Sequence, residues 1–236
     1  MRNIIVIIVI TILSGCAATG QPRFQVSVDS LASPVALTKK TYLLIPGNKG
    51  VSRDDLQFQE YESYLKRVLN SKGYISANSA EEADLAIVLS YGIGDPQTQQ
   101  YSYSLPTWGK TGVASSNTYG TATTYGNTTS VNATTTYTPT YGITGSTTHI
   151  GNRTTFFRYA LITGYDYSEF KNSQKEIQIW KTTISSTGSS GDLRRVFPLL
   201  MAASAPYMAT NTGQKIPVSL YESDNAVKIV KGLAVE

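Results

Sequence analysis

Between residues 96 and 155 the chain carries no aspartate or glutamate, and its only charges are Lys110 and Arg153. Thr, Tyr, Gly, Ser and Asn dominate, and Tyr-Gly pairs recur at 119–120, 125–126 and 141–142. The spacing of these pairs is irregular, so the stretch is compositionally biased rather than a solenoid repeat. Such a segment limits what the chain can fold into. Apolar side chains between 114 and 140 are too sparse to bury much surface, which leaves two outcomes. Thr and Tyr favour strands and Gly marks turns, giving long β-hairpins. Alternatively the segment is a mobile polar loop. Its composition favours an ordered root near 98–113 and 140–155 around a poorly ordered middle.

The flanking segments have ordinary globular patterning. Phe24, Val26 and Val28 alternate with polar residues as in a half-buried strand. Thr41-Tyr-Leu-Leu-Ile45 reads as a more buried strand closed by Pro46-Gly47. Ser52 with Asp55 three residues on resembles a helix capping box, and Tyr61, Tyr64, Leu65, Val68 and Leu69 follow at helical spacing up to a stop at Gly73. A strand over 85–91 ends at Gly92. Beyond the biased segment, runs at 156–167 and 176–185 flank a polar turn at 168–175, as in an antiparallel hairpin. Asp192 is placed to cap a helix bearing Leu193, Val196, Phe197, Leu200 and Met201, which Pro198 and Pro206 would kink or divide. A strand over 215–221 and a short helix over 224–231, stopped by Gly232, complete the pattern. These elements predict an α+β fold, with a mainly antiparallel sheet covered by two helices and a long Thr/Tyr/Gly-rich β-hairpin or loop insertion. The expected organisation is one domain from 24–95 and 156–236, with 96–155 inserted.

The N-terminus has a separate logic. Met1-Arg2-Asn3 is positively charged, 4–13 is apolar except for Thr11, and Ser14-Gly15-Cys16 is small. That order predicts a secretory signal peptide over 1–15, since the apolar run is shorter than the roughly 20 residues of a spanning helix. Leu13-Ser14-Gly15-Cys16 resembles the bacterial lipobox. The resemblance implies cleavage between Gly15 and Cys16, a diacylglycerol on the Cys16 sulfur and an acyl chain on its new amine. Cys16 is the only cysteine, so no disulfide framework competes for it. Residues 16–23 then form a lipidated tether, and Ala17, by similarity to the sorting rule of enteric bacteria, implies the outer membrane facing the periplasm.

Several motifs together resemble a group of bacterial envelope lipoproteins defined only as a domain of unknown function. They are the lipobox, Thr41-Tyr-Leu-Leu-Ile-Pro46, Ser71-Lys-Gly-Tyr74, Ala83-Asp84-Leu-Ala-Ile-Val88, the Tyr/Thr/Gly tract, Ile179-Trp180 ahead of Gly188, and Asp192-Leu193-Arg194. The resemblance implies an envelope location and an α+β fold, and it carries over no catalytic residue.

Chemistry is sparse. His149 is the only histidine and lies in the Thr-rich tract, so a Ser-His-Asp or Cys-His arrangement would depend on it and on a cysteine committed to lipid. One His and one Cys cannot make a tetrahedral zinc site. Asp54-Asp55 and Glu81-Glu82 sit where acids complement helix starts. Gly92-Ile-Gly94-Asp95 is followed by no helical pattern and fails as a nucleotide loop. Net charge is +4 without a basic cluster, which is no nucleic-acid footprint. The sequence therefore predicts no catalytic residues, no metal and no cofactor beyond the lipid on Cys16. Tyr101, Tyr103, Trp108, Tyr119, Tyr125, Tyr137 and Tyr141 are the candidate contact residues, either lining a partner surface or filling cross-strand positions. The expected function is a non-enzymatic, lipid-anchored envelope protein that binds membrane lipid through Cys16 and scaffolds another envelope protein. The alternative is a subunit of an oligomeric outer-membrane channel or secretion complex using 96–155 as hairpins, broadly similar to the curli secretion lipoprotein. Lipid-facing strands need about 9–11 residues with alternate positions apolar, which 118–138 does not provide.

Overall fold

The computed structural model describes residues 21–234. The expected signal peptide, Gly15, Cys16, Ala17 and the tether as far as residue 20 lie outside the described residues. The chain divides into two units, one comprising the chain up to Gln97 and from Thr155 onward, the other Thr98–Thr154.

In the first unit, β1 (Phe24–Ala32) buries Phe24, Val26 and Val28 on alternate positions. A 3₁₀ turn (Pro34–Leu37) leads to β2 (Thr41–Pro46), α1 (Leu56–Ser71), the short β3 (Ile75–Ser76) and β4 (Leu85–Ile93). β5 (Gln97–Tyr125) and β6 (Thr128–Asp166) follow, and β6 ends at α2 (Tyr167–Ser173). Then come β7 (Gln178–Gly188), α3 (Leu193–Ser204), a 3₁₀ turn (Ala205–Tyr207), β8 (Ile216–Leu220) and α4 (Asn225–Lys231). The sheet runs β3-β2-β4-β6-β7-β1-β8.

The expectation of a mainly antiparallel sheet covered by two helices is overturned. The eight-stranded sheet is mixed, and the described residues hold four α-helices. The cause lies in the β2-α1 segment. A helix between two strands returns the chain in its original direction, so β2 pairs in parallel with β3 (Thr41↔Ile75) and with β4 (Tyr42↔Leu85 to Pro46↔Leu89). The 168–175 segment, read as a polar turn, contains α2 instead. The Asp166 side chain caps it by accepting the Glu169 N–H at 3.0 Å. Lys39 Nζ lies 2.5 Å from the same carboxylate oxygen, and the Ser168 hydroxyl donates to it at 2.8 Å. Burial alone would raise the Asp166 carboxyl, but these three donors outweigh it and hold it below the usual carboxylate value.

One face of the sheet is closed by α1, α3 and α4. Phe58, Tyr61, Leu65, Val68 and Leu69 of α1 meet Val196, Phe197, Leu200 and Met201 of α3 over Leu44, Ile87, Leu89, Ala160, Ile162 and Ile184. Tyr61 stacks on Phe197 at 4.0 Å between ring centroids and meets Tyr91 edge-on at 4.7 Å. Trp180 covers the Gly164 backbone so closely that a Cβ there would lie 2.3 Å from the indole Nε1. Pro198 is tolerated inside α3, and the break comes at Ala205-Pro206, where the helix passes into the 3₁₀ turn.

Candidate functional site

The Thr98–Thr154 unit is a single two-stranded ribbon. β5 and β6 run as strand on both sides of a two-residue turn at Gly126-Asn127, so the middle of the segment, expected to be poorly ordered, is paired strand up to the turn. Gly126 adopts φ +60°, the left-handed backbone that a two-residue hairpin needs and that glycine takes without penalty. Hydroxyls meet across the ribbon at Thr98–Thr154 (2.9 Å), Thr111–Thr140 (3.2 Å), Thr118–Thr135 (2.9 Å) and Thr124–Thr129 (3.1 Å). Cross-strand threonine pairs of this kind suit an exposed ladder, because each replaces water contacts with a neighbour's hydroxyl.

Period-two alternation places the larger side chains. On β5, Tyr101, Tyr103, Leu105, Val113, Tyr119 and Tyr125 all occupy odd positions, with Trp108 the large even-numbered exception. The ribbon brings Tyr101 and Tyr103 together at 6.0 Å, and Tyr103 stacks on His149 at 5.6 Å. The Tyr101 ring also lies over Gly151, where a Cβ would come within 2.7 Å of it. Trp108, Tyr119, Tyr125, Tyr137 and Tyr141 are spread along the ribbon rather than clustered. All seven aromatic candidates are exposed, from 45% for Tyr103 to 89% for Tyr125. Tyr101 and Tyr103 pack across the strands, as the cross-strand alternative expects, and all seven rings remain exposed to solvent.

Of the two acidic pairs only Asp54-Asp55 stands at a helix start; Glu81-Glu82 precedes β4. Asp55 caps α1, accepting the Phe58 N–H at 2.9 Å. Backbone carbonyls at Glu81 and Ala83 accept from Lys171 Nζ at 2.8 and 3.2 Å. Burial pushes the phenols of Tyr42, Tyr61 and Tyr74 up to about 12, which keeps them neutral core residues. Among the described residues no group of three or more His, Cys, Asp and Glu is arranged to hold a metal ion.

Two features escaped the sequence reading. On the sheet face opposite α1 and α3, a hollow of about 310 Å³ is lined by Ile45, Ala86, Val88, Tyr165, Tyr167 and Phe170. The near-continuous apolar run Leu85-Ala-Ile-Val-Leu89 was its signal, since strands covered on both faces lose their alternation. The second is Arg158, whose residue is 1% exposed. Its guanidinium donates to the Ser190 carbonyl and the Ser186 hydroxyl, both at 2.8 Å, and has no carboxylate partner among the described residues. Burial lowers its pKa.

No protein-family model and no curated protein matches the chain. Among solved structures, the chain is similar to a PDZ domain protein from Parabacteroides distasonis at 9% identity and a TM-score of 0.37, covering 85% of this chain and 40% of that one. The chain thus spans less than half of that protein's length, and so distant a likeness assigns it neither fold nor function.

Proposed function

We propose that this protein is a non-enzymatic, lipid-anchored component of the bacterial envelope, held in the outer membrane through Cys16, that binds another envelope component with the Thr98–Thr154 ribbon. The observation that carries this reading is the set of seven exposed aromatic side chains along a ribbon with no acidic residue. Tyrosine and tryptophan offer large contact area at low entropic cost, and rings are rarely left in water in such numbers without a partner. An isolated two-stranded hairpin is marginal in water, so contact with a partner also stabilises the ribbon itself. The lipobox-like Cys16 supports a membrane anchor, and the lone His149, stacked on Tyr103, offers no nucleophile-base pair.

Two experiments test this. A photo-crosslinking residue at Tyr119 or Tyr125 in cells captures a partner, whereas one at Lys49, on an exposed loop of the other unit, does not. Equal or absent capture at the two sites rejects the ribbon as the contact surface. Cys16→Ser abolishes uptake of labelled fatty acid and releases the protein from membranes; retained labelling rejects the anchor.

A further inference from the structure

We infer that the ribbon's partner is a second copy of this chain, with copies joining edge to edge, β5 of one against β6 of the next, into a closed antiparallel sheet. This rests on the ribbon being the contact surface and names what it contacts.

Both ribbon edges are open. β5 pairs with β6 alone, and β6 meets β7 and β4 only from Phe156 and Arg158 onward. In an antiparallel pair alternate residues turn their N–H and C=O away from the partner strand. In a two-residue hairpin the flanking residues, here Tyr125 and Thr128, form a hydrogen-bonded pair, so Thr124, Ala122, Gly120 and Thr118 fall at the intervening positions. The close approaches agree: a Cβ on Gly120 would lie 2.8 Å from that of Ala133, and the Thr118 and Thr135 hydroxyls are 2.9 Å apart. The peptide groups of these four residues therefore point outward.

Edges that must stay unpaired are guarded by lysine, inward charges or proline. Pro106 and Lys110 on β5 and Pro139 on β6 stand nearer the root; from 111 to 138 neither strand has a charge or a proline, so over that stretch both edges are open to pairing. Without charges, the edges offer no electrostatic complementarity to a different protein. They do offer one another the ladder β5 and β6 already form. A foreign strand on one edge leaves the other bare, and a two-fold pairing of β5 with β5 leaves both β6 edges bare. Rotating an up-down hairpin sets each β6 antiparallel to the next β5, and one heterologous interface then closes the ring. Copies anchored in one membrane share an orientation, which rotation about the membrane normal preserves.

The full lipidated chain, extracted in mild detergent, is weighed by native mass spectrometry, alongside co-purification of two differently tagged copies. The expected result is one discrete multimer containing both tags. Thr118→Pro with Ala122→Pro removes two outward N–H groups and, within the ribbon, the Thr118–Thr135 hydroxyl contact; Thr118→Val, which loses that contact and keeps the N–H, is the control. Strand content by circular dichroism is retained in both, and only the proline variant falls to the mass of a monomer. A multimer that survives both prolines overturns pairing through the edges. A wild-type monomer whose Tyr119 crosslinks capture another protein overturns self-association and leaves the contact-surface reading standing. A monomer with no crosslinks removes both.

Discussion

The strand β6 passes through two regimes. From Thr128 to Thr155 nearly every residue is exposed, and its neighbour β5 supplies hydroxyl pairs and scattered rings. From Phe156 to Asp166 alternate residues are buried, with Arg158, Ala160 and Ile162 under the helices and Phe157, Tyr159 and Leu161 on the other face. Backbone conformation is the same throughout. The difference is what pays the entropy of ordering. In the second stretch apolar burial, worth roughly 25 cal/mol per Å², does so within the chain. In the first only a hydrogen-bonded ladder and small cross-strand pairs are present, each worth about 0.2–1 kcal/mol. The chain's core thus lies in one unit, and the other holds only its ladder and small cross-strand pairs, which is the basis for proposing a partner.

The comparison predicts unequal responses to substitution. Phe197→Ala removes the ring stacked on Tyr61 and costs about 3–5 kcal/mol, read as a lower midpoint in chemical denaturation. Gly164→Ala forces a Cβ against Trp180, which lies 2.3 Å from that position; overpacking of this kind costs about 1–3 kcal/mol. Asp166→Ala removes the α2 cap and the Lys39 contact together, a loss of about 1 kcal/mol. Asp166→Asn keeps an acceptor for the Glu169 N–H and loses less. The Asp166 carboxyl is held below its usual value, so its stabilising contribution is present above that value and fades as pH falls through the lower, folded one. The gap between wild type and Asp166→Asn therefore closes on acidification across that range. Smallest of all, Tyr119→Ala or Tyr125→Ala shifts monomer stability by no more than about 0.5 kcal/mol. If either ring substitution unfolds the protein as Phe197→Ala does, the contrast between the two units is wrong.

How much of this was legible in the sequence depends on whether a local pattern decided the structure. Asp192 and the apolar face of α3 followed from spacing alone, because a cap and a helical stripe are local. α1 begins a turn later than the Ser52-Asp55 pair implied, since Asp55 itself is the cap. The parallel placement of β2 was not legible: strand direction depends on where the α1 crossover returns the chain, and β3, two residues long, leaves no periodicity to read. α2 was hidden because Tyr167-Ser-Glu-Phe-Lys is too short and polar to show an amphipathic face. In the ribbon, composition showed strand preference, but hairpin register arises from Gly126 and the hydroxyl pairs, which apolar counting ignores. The seven aromatic candidates were identifiable by residue type; their exposure follows from a ribbon uncovered on both faces, which became visible only with the pairing.

The central claim, that the ribbon is completed by a partner, is tested most directly by amide hydrogen exchange over Thr98–Thr154 in intact membranes and in isolated monomer. The account predicts slow exchange throughout the ribbon in membranes. In the monomer, the outward amides of Thr118, Gly120, Ala122 and Thr124 exchange rapidly while the bonded ones between them stay slower. Equally rapid exchange of these outward amides in both preparations would contradict it.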